Sequence, residues 1–198
     1  QLLPVTNWGT HYLAARSEPR GGSIEHWRVV GQTDGTTVET TLANPEHRQF
    51  TINRGEFYDI VTEESFEVTA SEPVMLAQYL VSQGNTRANV GDPALIVVPP
   101  SNQLRDRYQI ITPSGYSSNW LTIARVAGSR VALDGVDIDA FRFTAFGSNQ
   151  YEYAWLEVEE GVHHLDGDAP FSLIVYGYSA AVSYGYPGGL NLRSDEMP

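Results

Sequence analysis

The chain has 198 residues, no cysteine, and a formal net charge of −12 at pH 7, with 24 acidic residues against 12 basic ones, all of them arginine. Without cysteine there is no disulfide framework and no thiolate metal site. The acidity removes the basic patch on which nucleic-acid and anionic-membrane binding rest, and suits a cationic partner or Ca²⁺. No apolar run reaches the roughly 18 residues that a membrane-spanning helix needs. The chain opens on Gln1 rather than Met, as expected of a piece processed or cut from something longer, with room for a removed signal peptide upstream.

In chain order, short alternating runs rich in Val, Ile, Thr, Tyr and Phe recur between Gly, Asn, Asp and Pro, and helix signals are nearly missing. The pattern predicts strands over 9–15, 25–31, 36–42, 48–52, 57–61, 66–70 and 74–80. A polar loop follows over 82–91, and then the apolar run Ala94-Leu95-Ile96-Val97-Val98 stops at Pro99-Pro100. Further strands are predicted over 107–112, 120–124, 130–133, 141–146, 151–158, 161–165 and 171–178. The last is the most apolar and aromatic, and it reads as a strand buried on both faces. Beyond it Tyr184 and Tyr186, two apart, share one face of an extended segment that ends at Pro187-Gly188-Gly189.

The two halves repeat one another with a period of about 95 residues, too long for a solenoid unit. Tyr12 falls on Tyr108, and Trp27–Val38 runs without a gap on Trp120–Val131. Arg54-Gly55 is set against Glu160-Gly161, and the run from Pro73 to Tyr79 falls on the run from Pro170 to Tyr176. The expected fold is all-β: two related antiparallel, jelly-roll-like sandwich units packed as one module. The first unit is expected over 1–92, the second over 93–190, and a polar tail or linker over 191–198. Trp27 and Trp120, set at matching places, are expected in the core. The piece from Val182 to Gly189 finds no partner in the first half. It is expected either to seal the two units together or to form an exposed aromatic strip.

These residues also resemble a known family. Gly91-Asp92-Pro93 with its apolar run and Pro99-Pro100, Val131-Ala132-Leu133-Asp134-Gly135, Gly161-Val162-His163-His164-Leu165, and the closing segment from Val175 to Gly189 are similar, in order and spacing, to the amino-terminal domain of the IgG Fc-binding protein family. The resemblance runs from about Tyr12 to Gly189. It implies extracellular or cell-surface binding or adhesion with no catalytic activity, as in large secreted animal proteins and bacterial surface proteins. The family name records one animal member and does not carry IgG binding over to this chain. The lysine-free, acidic composition looks bacterial.

Candidate chemistry is sparse. Asp92, Asp137 and Asp139 are the weak Ca²⁺ candidates, but no twelve-residue EF-hand pattern is present, and Asp134-Gly135 reads first as a hairpin turn. Neighbouring His163 and His164 point to opposite faces of a strand and cannot share an ion. Neither Gly128-Ser129 nor Gly147-Ser148 lies within a nucleophile-elbow motif. No catalytic residue is assigned and no cofactor is expected beyond a possible Ca²⁺. Tyr116 sits in a Ser/Gly/Asn loop of the composition that recognition loops use; with Tyr184 and Tyr186 it is the candidate ligand contact. The expected function is a non-enzymatic extracellular recognition module, whose partner is a protein or glycan on another surface or a neighbouring domain. The alternatives are a structural spacer of a surface filament, or a tandem sandwich hydrolase acting on glycans or glycopeptides through two carboxylates in a cleft between the units.

Overall fold

The computed structural model describes residues 2–22 and 24–192. Seven strands build the first sheet: β1 (Gly9–Ala14), β2 (Glu25–Gly31), β3 (Thr36–Thr40), β4 (Gln49–Ile52), β5 (Phe57–Thr62), β6 (Phe66–Tyr79) and β7 (Leu95–Val97). Eight build the second: β8 (Arg105–Thr112), β9 (Ser118–Val126), β10 (Val131–Leu133), β11 (Val136–Asp137), β12 (Thr144–Phe146), β13 (Tyr151–Val158), β14 (Gly161–Ser179) and β15 (Val182–Pro187). The one α-helical segment among the described residues is the single turn α1 (Pro45–Arg48), with Pro at its start and the Asn44 side chain accepting from the Glu46 N–H.

The two sheets have one topology. The first runs β4-β3-β6-β2-β5 with β1 and β7 also on β6; the second runs β11-β10-β14-β9-β13 with β8 and β15 also on β14, and β12 added beyond β13. All pairs are antiparallel. The long strands β6 and β14 organise both units. Each serves two layers: residues 66–70 of β6 lie between β1 and β3, and residues 74–79 lie beside β2 and β7. β14 repeats this with β8 and β10 before its bend, then β9 and β15 after it. The bend falls at Pro73 and at Pro170. Proline cannot donate to a ladder and is tolerated where pairing breaks, and a bent strand that changes layer is how a sheet turns a corner. The two separate strands expected on either side of each proline are therefore one strand with a corner.

Breaking the ladder at the corner leaves a carbonyl without a strand partner, and a tyrosine supplies one in each unit. Tyr12 Oη donates to the Val74 carbonyl (2.5 Å) and accepts from the Gly9 N–H (2.9 Å). Tyr108 Oη donates to the Phe171 carbonyl (2.5 Å) and accepts from the Arg105 N–H (2.9 Å). Burial drives both hydroxyls upward in pKa, Tyr108 to about 12. Phenylalanine at either position would strand a backbone donor and acceptor inside the protein. Tyr12→Phe and Tyr108→Phe should each lower the unfolding free energy by about 1–3 kcal/mol, additively in the double variant because the sites lie in different units. Urea titration reads this directly, and an unchanged midpoint for both would reject the clamp.

Topology also corrects three details of the repeat. Arg54-Gly55 leads into β5, whereas Glu160-Gly161 leads into β14, the counterpart of β6, so these turns are not equivalent. Val38 and Val131 are equivalent, but Trp27 is not equivalent to Trp120. Trp27 lies between Ile60 and Gln78 in its sheet, a place that Leu121 takes between Leu156 and Val175. The hairpin between these points is one residue shorter in the second unit. A slip of one residue turns a strand side chain to the opposite face, so Trp27 is fully buried in the first core while Trp120 looks away from the second and is partly buried. Lastly, β15 has a counterpart, β7. An expected division between Asp92 and Pro93 leaves Leu95–Val97 with the second unit, whereas this strand pairs with β6 of the first sheet.

Each unit encloses its own core. Trp27, Val29, Phe66, Val68, Val74 and Leu76 fill the first; Leu121, Ile123, Phe171, Leu173 and Val175 fill the second. The outer face of β9 and β14 is buried as well, against the first unit. Ile174, Tyr176 and Tyr178 pack with Leu80 and Ile96, and Ala124 and Phe146 pack with Leu13 and Ala15. This explains the two-sided apolar run of β14.

Polar bonds cross the same joint. Trp155 Nε1 donates to the Arg16 carbonyl (2.7 Å), the Glu18 N–H to Tyr176 Oη (2.8 Å), and the Ser148 N–H to the Glu67 carboxylate (2.6 Å). The Arg20 guanidinium lies 3.9 Å from the Tyr178 ring centroid and donates to the Val81 and Val90 carbonyls. Beside this joint Glu25 is wholly buried, accepting from Ser17 Oγ (2.5 Å) and Gln78 Nε2 (2.8 Å). Burial raises its pKa despite those bonds. A carboxyl raised in the folded state binds its proton more tightly there. Its contribution to stability is present in acid and is lost as pH rises from the ordinary value of 4.5 through the raised one. Glu25→Gln should remove that loss and flatten the stability profile above the ordinary carboxylate value of 4.5, read by urea midpoints. A profile that keeps its wild-type slope would clear Glu25 of responsibility for it.

Candidate functional site

β15 brings the candidate tyrosines together. Its period of two turns Tyr184 and Tyr186 to one face, over the second core, and Gly185 to the other, against the first unit. Tyr184 Oη donates to Asn119 Oδ1 (2.7 Å), which ties it to β9. Tyr186 Oη donates to the Ile111 carbonyl (2.5 Å), which ties it to β8. Tyr116, at the β8–β9 loop, stands edge-on to Tyr184 with ring centroids 4.6 Å apart, and Tyr184 and Tyr186 stack at 6.1 Å. All three are half-buried. Burial raises the pKa of both Tyr184 and Tyr186. The segment therefore combines the two expected arrangements: its tyrosines form a continuous, partly exposed strip, and its glycine seats the strand on the first unit.

Tyr186 also borders a small cleft of about 170 Å³ at the joint, lined by Leu3, Leu95, Ile96, Val97, Gly185, Pro187 and Leu190. It is too small for most small-molecule ligands, whose pockets run to several hundred Å³, and none of its lining residues is a carboxylate.

The acidic candidates lie apart. Asp92 is exposed, its N–H bonded to Ser183 Oγ (2.8 Å). Asp137 is held by Arg130 Nε (2.7 Å), which also binds Asp166 through Nη1 (2.8 Å). Asp139 precedes a 3₁₀ turn, Ala140–Arg142, and its carbonyl accepts from the Arg142 N–H. Among the described residues no group of three or more His, Asp or Glu is placed to hold a metal ion. Asp134-Gly135 forms the turn between β10 and β11, both with positive φ. The Asp134 carboxylate binds His163 Nδ1 (2.8 Å), and His163 Nε2 contacts the Glu159 carbonyl (2.9 Å). Burial works against the His163 cation, but these two acceptors outweigh it and raise the pKa. Burial likewise works against the Asp134 anion, and His163 and the His164 N–H outweigh it and lower the pKa. The pair is a local brace for the hairpin.

A second surface was not singled out from sequence. Arg105, Arg107 and Gln109 alternate along β8, opposite His164 and Asp166 on β14, and with buried Tyr108 and Leu165 they line an open groove of about 600 Å³. The alternation is legible in the sequence, but not that the two arginines find no carboxylate among the described residues.

The family profile described as IgGFc binding protein matches residues 1–177. The chain belongs to that family. The match ends inside β14, so the closing segment after Ser179 lies outside it. The human IgGFc-binding protein is 27% identical over an alignment of 198 residues, which covers 93% of this chain and 3% of the human protein. The chain thus spans a small part of that relative. No solved structure gives a significant match.

Proposed function

We propose that this chain is a non-enzymatic recognition module, working outside the cell or displayed on its surface, whose partner is a protein or a glycan. Membership of the IgGFc-binding family carries the reading. Two interlocked sandwiches give rigid support to whatever surface makes the contact, which favours binding that costs little ordering. Among the described residues no helix is long and apolar enough to cross a membrane. The strip of Tyr116, Tyr184 and Tyr186 is the proposed contact: aromatic rings with polar tips give large area for few rotatable bonds. No cofactor enters this reading, and a chelator should leave the melting temperature unmoved. A fall of several degrees would instead place a structural Ca²⁺ in the module.

The test is a binding screen with the folded chain immobilised against glycan arrays and a panel of cell-surface and secreted proteins, IgG Fc included. Retention of at least one partner, weakened by Tyr116→Ala, is the expected result. No retention on any probe at micromolar concentration would defeat the proposal.

A further inference from the structure

The protein holds twice as many acidic as basic residues, and several of its arginines are engaged internally. Arg28 forks onto Asp59, Arg125 onto Glu152, Arg130 onto Asp137 and Asp166, and Arg20 and Arg48 donate to carbonyls. Arg105 and Arg107 are exposed and pair with no carboxylate among the described residues, although they stand next to each other on one face of β8. Side chains two apart on a strand are about 7 Å apart, and like charges so placed repel. Asp166 stands directly across from Arg107 yet is bound by Arg130. Continuing the row, Gln109 and its cross-strand neighbour His164 also have side chains free of hydrogen bonds to the other described residues.

We infer that this groove on β8 and β14 binds an acidic glycan chain, with Arg105 and Arg107 taking its carboxylate or sulfate groups and Gln109, His164 and Asp166 its hydroxyls. The guanidinium fork matches planar carboxylate and sulfate oxygens. Two cations about 7 Å apart suit a sparsely charged polymer. A nucleic-acid strand, with a phosphate every 3.4 Å or so, would meet a net-negative protein with too few cations. The groove is open and follows the strands, so an extended chain lies along it. Mixed amide, imidazole and carboxylate side chains offer both donors and acceptors, as neighbouring hydroxyls require. This inference rests on the recognition reading and adds a site on the second unit distinct from the tyrosine strip.

The experiment compares the wild-type chain with Arg105→Gln/Arg107→Gln and with Arg54→Gln/Arg142→Gln, a double variant that loses the same charge at exposed positions elsewhere. The probes are a keratan sulfate oligosaccharide for sulfate, polysialic acid for carboxylate, neutral dextran and poly-glutamate, read by titration calorimetry at low and physiological salt, with melting curves to verify folding. Expected is binding to one or both acidic glycans that weakens with salt, falls more than tenfold in the groove variant and less than twofold in the control variant. The sulfate and carboxylate arms say which anion is preferred. Equal loss in both variants, or poly-glutamate bound as tightly as the glycans, overturns the inference. Glycan binding untouched by the groove variant also overturns it while leaving the recognition role standing. No binding of any partner, in this test or in the screen above, removes both.

Discussion

Gly185→Val should destabilise the protein by about 3 kcal/mol and loosen the joint between the units. Gly185 is the residue of β15 that faces the first unit. A Cβ there would lie 2.4 Å from Ile96 Cδ1 and 2.6 Å from Ile96 Cγ1. Ile96 is 1% exposed and packed among Leu80, Ile174 and Tyr176, so it must yield either against them or into the small cleft at the joint. The backbone at Gly185 is not in the positive-φ region, so the cost is steric and specific to the contact. The double variant with Ile96→Ala should recover part of the loss, and a thermodynamic cycle would give a coupling of 1 kcal/mol or more for residues in such contact. Additive effects would show that β15 is not seated on Ile96.

Trp27→Ala should cost about 3–5 kcal/mol, and Trp120→Ala less than half of that. A sequence alignment treats the two as equivalents and would predict equal losses. In the structure Trp27 is fully buried, edge-to-face on Phe66 at 5.5 Å, and its removal empties the centre of the first core. Trp120 is only partly buried at the joint. Its indole leaves a surface that solvent and neighbours can refill. Equal losses in chemical denaturation would restore the ungapped alignment and refute the one-residue slip.

Those two tryptophans show why the repeat was legible and its register was not. Strand pattern, Tyr12 with Tyr108, and Pro73 with Pro170 are local features, and each marks a step of the fold: the clamp and the corner. Face assignment depends on hairpin length, and one residue lost between β9 and β10 is invisible when two glycine turns, at Gly35 and Gly128, can be laid on each other. Each proline, taken locally, marks a break in strand pairing. Here a tyrosine hydroxyl lets the strand go on. Leu95–Val97 follows a polar loop and carries no local mark of the unit it joins, and only the ladder to β6 shows where it belongs.

The candidate surface divides in the same way. Spacing alone placed Tyr184 and Tyr186 on one face. Their meeting with Tyr116 depends on the β8–β9 loop folding back beside β15, a long-range event with no local signal. The groove is the reverse case. Arginines two apart are plain to read, but Asp106 and Asp166 look like ready partners in a linear sequence. It takes the structure to show Asp166 already committed to Arg130.

The joint between the two units also has a direction. In part, unlike surfaces meet: the outer layer of the second, around β9, receives β1 and the segment after it from the first, whereas β7 meets its own counterpart, β15. The β1 part of the contact is head-to-tail, and such a contact does not close on itself as a symmetric dimer does. The counterpart surfaces are both left facing water, with Phe57 and Val61 beside the Arg28–Asp59 pair at one end and Ile111 with Val162 on β8 and β14 at the other. In the joint, then, β1 is covered while the exposed Ile111 of its counterpart, β8, is not.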